Sequence, residues 1–193
     1  MDEWTIGLDS WIIQDGNYGD CERGQLVDFA VEFWSEETLS PGTGADRLAE
    51  RISDDRYRIK GGVVFSSLEP LVSAWVIDFG ISVFTTGERP FGASVGTVLS
   101  GEIVLGIDPF DYFEGLHAVE GMPALIYSWR VDRIERQTAP FVEVAPRVFE
   151  RDRAAWAWTD VDRTDAWNDD DGHAEYLLHC TLLDDLPRRK RTR

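Results

Sequence analysis

The chain has 193 residues and a formal net charge of −17, with 43% hydrophobic and 12% aromatic residues. That length and apolar content suit one domain with a sizeable core and exclude a disordered chain. The acidity opposes the phosphate backbone whose neutralisation dominates nucleic-acid affinity, so basic or neutral protein partners are favoured over nucleic acid.

The two cysteines, Cys21 and Cys180, form neither a metal-ligand pair nor a Cys-x-x-Cys motif and read as reduced thiols. The N-terminus "MDEWTIGLDS" carries acids where a secretion signal carries basic residues, and no run of about 18 apolar residues occurs. A cytoplasmic protein with no membrane contact is expected.

In chain order, "WTIGLDSWIIQ" reads as a strand followed by the loop "DGNYGDCERG". Asp15-Gly16 is a favoured hairpin dipeptide, and Asn17 and Gly19 tolerate positive φ. The loop is longer than a minimal hairpin, so Asp15, Asn17 and Asp20 are candidate ligand contacts. In "GQLVDFAVEFW" the residues Val27, Phe29, Val31 and Phe33 share one face while Asp28 and Glu32 take the other, as a half-buried strand requires.

"SPGTGADRLAERIS" carries the best helix signal. Thr43 stands three residues before Asp46 like a capping box, and Leu48 and Ile52 form an i, i+4 pair. Strand periodicity returns between Leu71 and Phe84, with Trp75, Ile77, Phe79, Ile81 and Val83 on one face. It recurs at Val95, Leu99, Ile103, Leu105 and Ile107, where Gly101 suggests a bend, and at Leu125, Tyr127, Trp129 and Val131. "AEYLLHCTLLDD" is a last strand.

Many strands, one short helix and no βα alternation give a mainly β fold. It is expected to be an antiparallel sandwich or partly open barrel, the oligonucleotide-binding type among the candidates, with the helix near 44–53. Residues 1–186 form a single domain, and 187–193 are a basic tail expected to be disordered.

"GASVG" at Gly92 to Gly96 matches the G-x-S-x-G nucleophile pattern, but a strand-to-helix turn is missing around Ser94. His117, His173 and His179 lack the spacing of a helical metal pair. The acidic run from Asp160 to Asp171 fails the EF-hand register, since Trp167 and Leu178 would fall at ligand positions. No phosphate-binding loop occurs, and no cofactor or metal is expected.

"GIDPFDYFEG" places Asp108, Asp111 and Glu114 around Pro109 and three aromatics. Such carboxylates beside rings hold sugars in many glycosidases, and they also describe an ordinary turn. A ligand rim, if present, is expected there, with Tyr112 and Trp129 as neighbours.

The leading expectation is a non-catalytic binding protein, for instance an inhibitor or immunity-type protein whose acidic surface meets a basic partner. The alternatives are a small-molecule or carbohydrate-active enzyme using the carboxylates at 108–114, and a single-strand nucleic-acid binder using aromatics with the basic tail.

Overall fold

Alternating apolar and polar residues favour strands with one buried face, and fourteen strands among the described residues, most of them of this kind, organise the fold. The structure, a computed structural model, describes residues 3–44, 46–67, 73–184 and 186–189. The first half contains β1 (Glu3–Asp9), α1 (Ser10–Gln14), β2 (Leu26–Phe29), β3 (Val31–Trp34), β4 (Ser40–Pro41), β5 (Leu48–Ser53), β6 (Arg56–Ser66), β7 (Trp75–Asp78) and β8 (Ser82–Thr85). The second contains β9 (Val98–Ile107), α2 (Asp111–Glu114), β10 (Tyr127–Gln137), β11 (Phe141–Ala145), β12 (Val148–Arg151), β13 (Trp158–Val161) and β14 (Glu175–Leu182). None of the helices among the described residues is long and apolar enough to cross a membrane.

Strands β3, β8, β7, β6 and β9 close into a five-stranded barrel, because β6 pairs with β9 from Arg56↔Val104 to Gly62↔Val98. The barrel is therefore closed where the sequence suggested a partly open one. Pairing is antiparallel apart from single parallel contacts at Glu32↔Phe84 and Gly7↔Gly106. A second limb, β1–β14–β10–β13, extends from β9, and β2 lies on β10.

The two limbs part along one edge of β9. Up to Val104 that edge belongs to β6; at Gly106 it belongs to β1. At the changeover the Leu105 amide donates to the Asp55 carbonyl at 3.0 Å, and the Tyr57 hydroxyl accepts from the Thr5 amide at 2.7 Å. These two bonds satisfy backbone groups that a fork would otherwise leave unpaired.

The core runs through both limbs, joining Ile6, Val131 and Leu178 to Ile59, Ile77 and Leu105. Trp4 packs on Tyr57 and Phe79 with ring centroids 5.5 and 5.9 Å apart. A second cluster, with Phe84, Tyr112, Met122 and Leu125, covers the outside of β7 and β8.

Three expected elements are different in the structure. The second half of the strand read in "WTIGLDSWIIQ" is the short helix α1. The helix near 44–53 is instead the edge strand β5, paired with β6 from Leu48↔Lys60 to Ser53↔Arg56. Leu48 and Ile52, read as a helical pair, are both exposed. Asp54, at φ 39°, closes a tight turn, and the long strand β6 supplies a ladder that overrides a weak helix preference.

The single strand expected from Leu71 to Phe84 is the hairpin β7–β8, with 71 and 72 outside the described residues. Gly80 turns it at φ 132°, and its amide donates to the Asp78 carboxylate at 3.1 Å. Trp75, Ile77, Phe79, Ile81 and Val83 are nonetheless all buried. The basic tail is seated through Arg189: Arg188 pairs with Asp28 at 2.5 Å and Arg189 donates to the Met122 carbonyl at 2.6 Å. Residues 190–193 lie outside the described residues.

Candidate functional site

A cleft of about 310 Å³ opens on the outer face at the fork. Its floor depends on two glycines paired across β1 and β9, Gly7 and Gly106. The Asp55 carboxyl occupies the space a side chain on Gly7 would need. The Trp34 ring covers Gly106, where an added Cβ would lie 2.7 Å from the ring edge. Two missing side chains thus let an acid and an indole settle onto the sheet.

Six acids line this cleft: Asp9, Glu32, Glu36, Asp54, Asp55 and Glu175. Arg56 is the only basic side chain doing so among the described residues, and it is committed to Glu36 at 2.7 Å. Burial, and then the carboxylates of Asp108, Asp111 and Asp9, push Glu32 up to about 7. Burial likewise raises Asp55 to about 6. Two half-buried acids held this high are short of positive charge.

Four of the eight tryptophans, Trp11, Trp34, Trp156 and Trp158, complete the walls. Trp11, Trp34 and Trp156 each keep nearly half of their surface exposed. They are nevertheless oriented: the Trp11 indole donates to Asp9 at 3.1 Å and that of Trp156 to Asp54 at 3.3 Å. Trp156 meets Trp158 edge-on at 6.1 Å between centroids. Rings fixed by acids present negative faces beside negative groups, the arrangement that attracts an organic cation.

The residues singled out in the sequence lie elsewhere. Asp108 is fully buried and accepts from the Tyr112 amide at 3.3 Å; burial lifts it to about 6, and its second oxygen has no partner among the described residues. It acts on the cleft only through its field on Glu32. Asp111 and Glu114 line a separate surface hollow with Phe110 and Leu116.

Tyr112 and Trp129 are fully buried. The Tyr112 hydroxyl donates to the Pro123 carbonyl and accepts from the Leu125 amide, while Trp129 stacks on Phe29 at 5.4 Å. Asp15 is exposed, Asn17 donates to the Pro109 carbonyl at 3.2 Å, and Asp20 accepts from Thr164 and Ala166. Asn17 and Asp20 tie their loop to neighbouring loops.

The nucleophile-like Ser94 sits in a turn, its amide bonded to Thr97 Oγ1 at 2.9 Å. Cys21 and Cys180 are both free and buried. Among the described residues no group of three or more His, Cys, Asp and Glu side chains is arranged to hold a metal ion.

Sequence reading missed Glu32, Trp34 and Asp55. The signal for the first two was present, since Glu32 and Trp34 lie on the outward face of a strand whose other face is core. Asp55 gave none, because its place over Gly7 joins residues far apart in the chain. Comparison of the chain with protein-family models, curated proteins and solved structures finds no match.

Proposed function

We propose that the protein is a non-catalytic binding protein whose cleft receives a cationic side chain from a basic protein partner. The observation that carries this reading is the seating of Asp55 on Gly7 in a cleft that also holds Glu32 and half-exposed indoles, with no uncommitted basic side chain among the described residues lining it. A guanidinium or ammonium group there would relieve repulsion between the acids and stack on a ring. The chain's charge of −17 would also speed encounter with a basic partner. An inhibitor or immunity-type protein is the concrete form of this reading, and two buried free thiols suit a reducing compartment.

Calorimetry with an arginine-bearing peptide and its citrulline counterpart tests it. The arginine peptide should bind, more weakly as salt rises, and the double variant Glu32→Gln, Asp55→Asn should abolish the interaction. Equal binding of the two peptides, or none, would refute the reading.

One observation favours a second reading, a carbohydrate-active enzyme. Glu32, held up to about 7, could act as an acid in a cleft that also holds the lower Asp55, with tryptophan faces as sugar platforms. Release of reducing sugar from a glycan panel, lost in Glu32→Gln, would establish it in place of the first.

A further inference from the structure

The cleft does not end at Trp11. A second hollow of about 630 Å³ adjoins it and shares Asp9, Trp11 and Glu175 as walls. Its chemistry is different, because Phe141 and Phe149 of the β11–β12 hairpin form the far side. These rings are 43% and 58% exposed, an unusual display for phenylalanine on one small hairpin.

The phenylalanines do not hang free. Arg151, the only buried residue of β11 and β12, donates to Glu175 at 3.0 Å, to Asp170 at 2.9 Å and to the carbonyls of Ala139 and His173. Its guanidinium lies 4.4 Å from the centre of the Phe141 ring. One arginine therefore clamps the aromatic wall to β14 and to the turn before it. The Asp9 bond to the Trp11 indole fixes the partition between the two hollows. Both subsites are set before anything binds.

We propose that the two hollows form one groove for an extended segment of a basic protein partner, with an Arg or Lys side chain in the acidic cleft and a large apolar side chain against Phe141 and Phe149. This rests on the cationic reading of the cleft. The two hollows share Asp9, Trp11 and Glu175 as walls, so one extended strand can send neighbouring same-face side chains into both. Such neighbours are residues i and i+2 of the strand, about 6.6 Å apart. A second copy of this chain suits the groove less well, since it would bring a molecule of charge −17 against an acidic surface.

The test is anisotropy titration of three dye-labelled peptides: Gly-Arg-Gly-Phe-Gly, Gly-Arg-Gly-Ala-Gly and Gly-Gln-Gly-Phe-Gly, capped at both ends. The first should bind the natural protein about tenfold tighter than the second, the worth of partly burying one aromatic side chain. That advantage should vanish in Phe149→Ser, a change at an exposed position that leaves folding intact. Equal affinity of the first two peptides would overturn the groove and leave the cationic cleft standing. Failure of both arginine peptides to bind would overturn the two together. A dimer in sedimentation that Phe149→Ser dissociates would also overturn the groove, because a second copy would then be its occupant.

Discussion

The carboxyl of Asp55 stands where a side chain on Gly7 would be. Residues forty-eight positions apart in number are thus fitted to each other, and Asp55 can settle onto the sheet because Gly7 has no Cβ. Gly7→Ala is predicted to displace a flexible carboxylate, not backbone, so the fold should survive with a loss of about 1 kcal/mol. Binding of a cationic peptide should fall at least tenfold. Thermal melting and calorimetry on the same sample check both halves.

The acids of the cleft make stability depend on pH. Glu32 is raised from 4.5 to about 7, so between those values the folded chain holds a proton that the unfolded chain has released. Stability contributed by the protonated group is therefore present below about 4.5 and is lost as pH rises through about 7. Glu32→Gln should accordingly be more stable than the natural protein at pH 8, by on the order of 2 kcal/mol after screening at this half-buried site, with the gap closing toward pH 4.5. Urea titrations at pH 5 and pH 8 measure it. Cation binding should show the opposite trend and strengthen above pH 7.

His179 joins three strands. Its Nδ1 lies 3.1 Å from Thr5 Oγ1 on β1, and its Nε2 lies 2.6 Å from Glu135 Oε2 on β10. A hydroxyl, imidazole and carboxylate in series resemble a hydrolytic triad, but Thr5 and His179 are only 1% and 3% exposed, so no substrate reaches them. The chain is structural. His179→Ala should cost about 2–4 kcal/mol by leaving buried polar groups unpaired, whereas Thr5→Val should cost far less. Chemical denaturation of both variants makes the comparison.

The thiols should be silent in the folded protein. Burial foremost raises Cys21 to about 11 and Cys180 well above its ordinary value, so neither is a thiolate at neutral pH. A thiol-reactive dye should label neither under native conditions and both in denaturant. Rapid native labelling would show that the core opens more readily than its packing implies.

Much of the barrel was legible because strand burial has a period of two. Phe29, Val31, Phe33, Leu99, Ile103, Tyr127 and Trp129 face inward as their spacing requires. What periodicity does not encode is a change of partner. The alternation from Val27 to Phe33 continues across Ala30, yet β2 pairs with β10 and β3 with β9. The fork at Leu105 and the turn at Gly80 are invisible for the same reason, since residues keep their faces through both. The cleft was less legible still, because Asp9, Glu32, Asp55, Trp156 and Glu175 come from separate segments and meet only after the limbs part. Apart from the outward face that carries Glu32 and Trp34, its advance notice was compositional: eight tryptophans are more than this core conceals, and half of them line the cleft.

Those tryptophans offer the most direct measurement. Each indole N–H gives one resonance in a ¹⁵N-edited spectrum, so addition of an arginine-bearing peptide can be followed at every ring at once. If the cleft receives the guanidinium, the signals of Trp11, Trp34, Trp156 and Trp158 shift together, while those of the buried Trp4, Trp75 and Trp129 stay in place. An unchanged spectrum, or shifts confined to the exposed Trp167 outside the cleft, would contradict that reading.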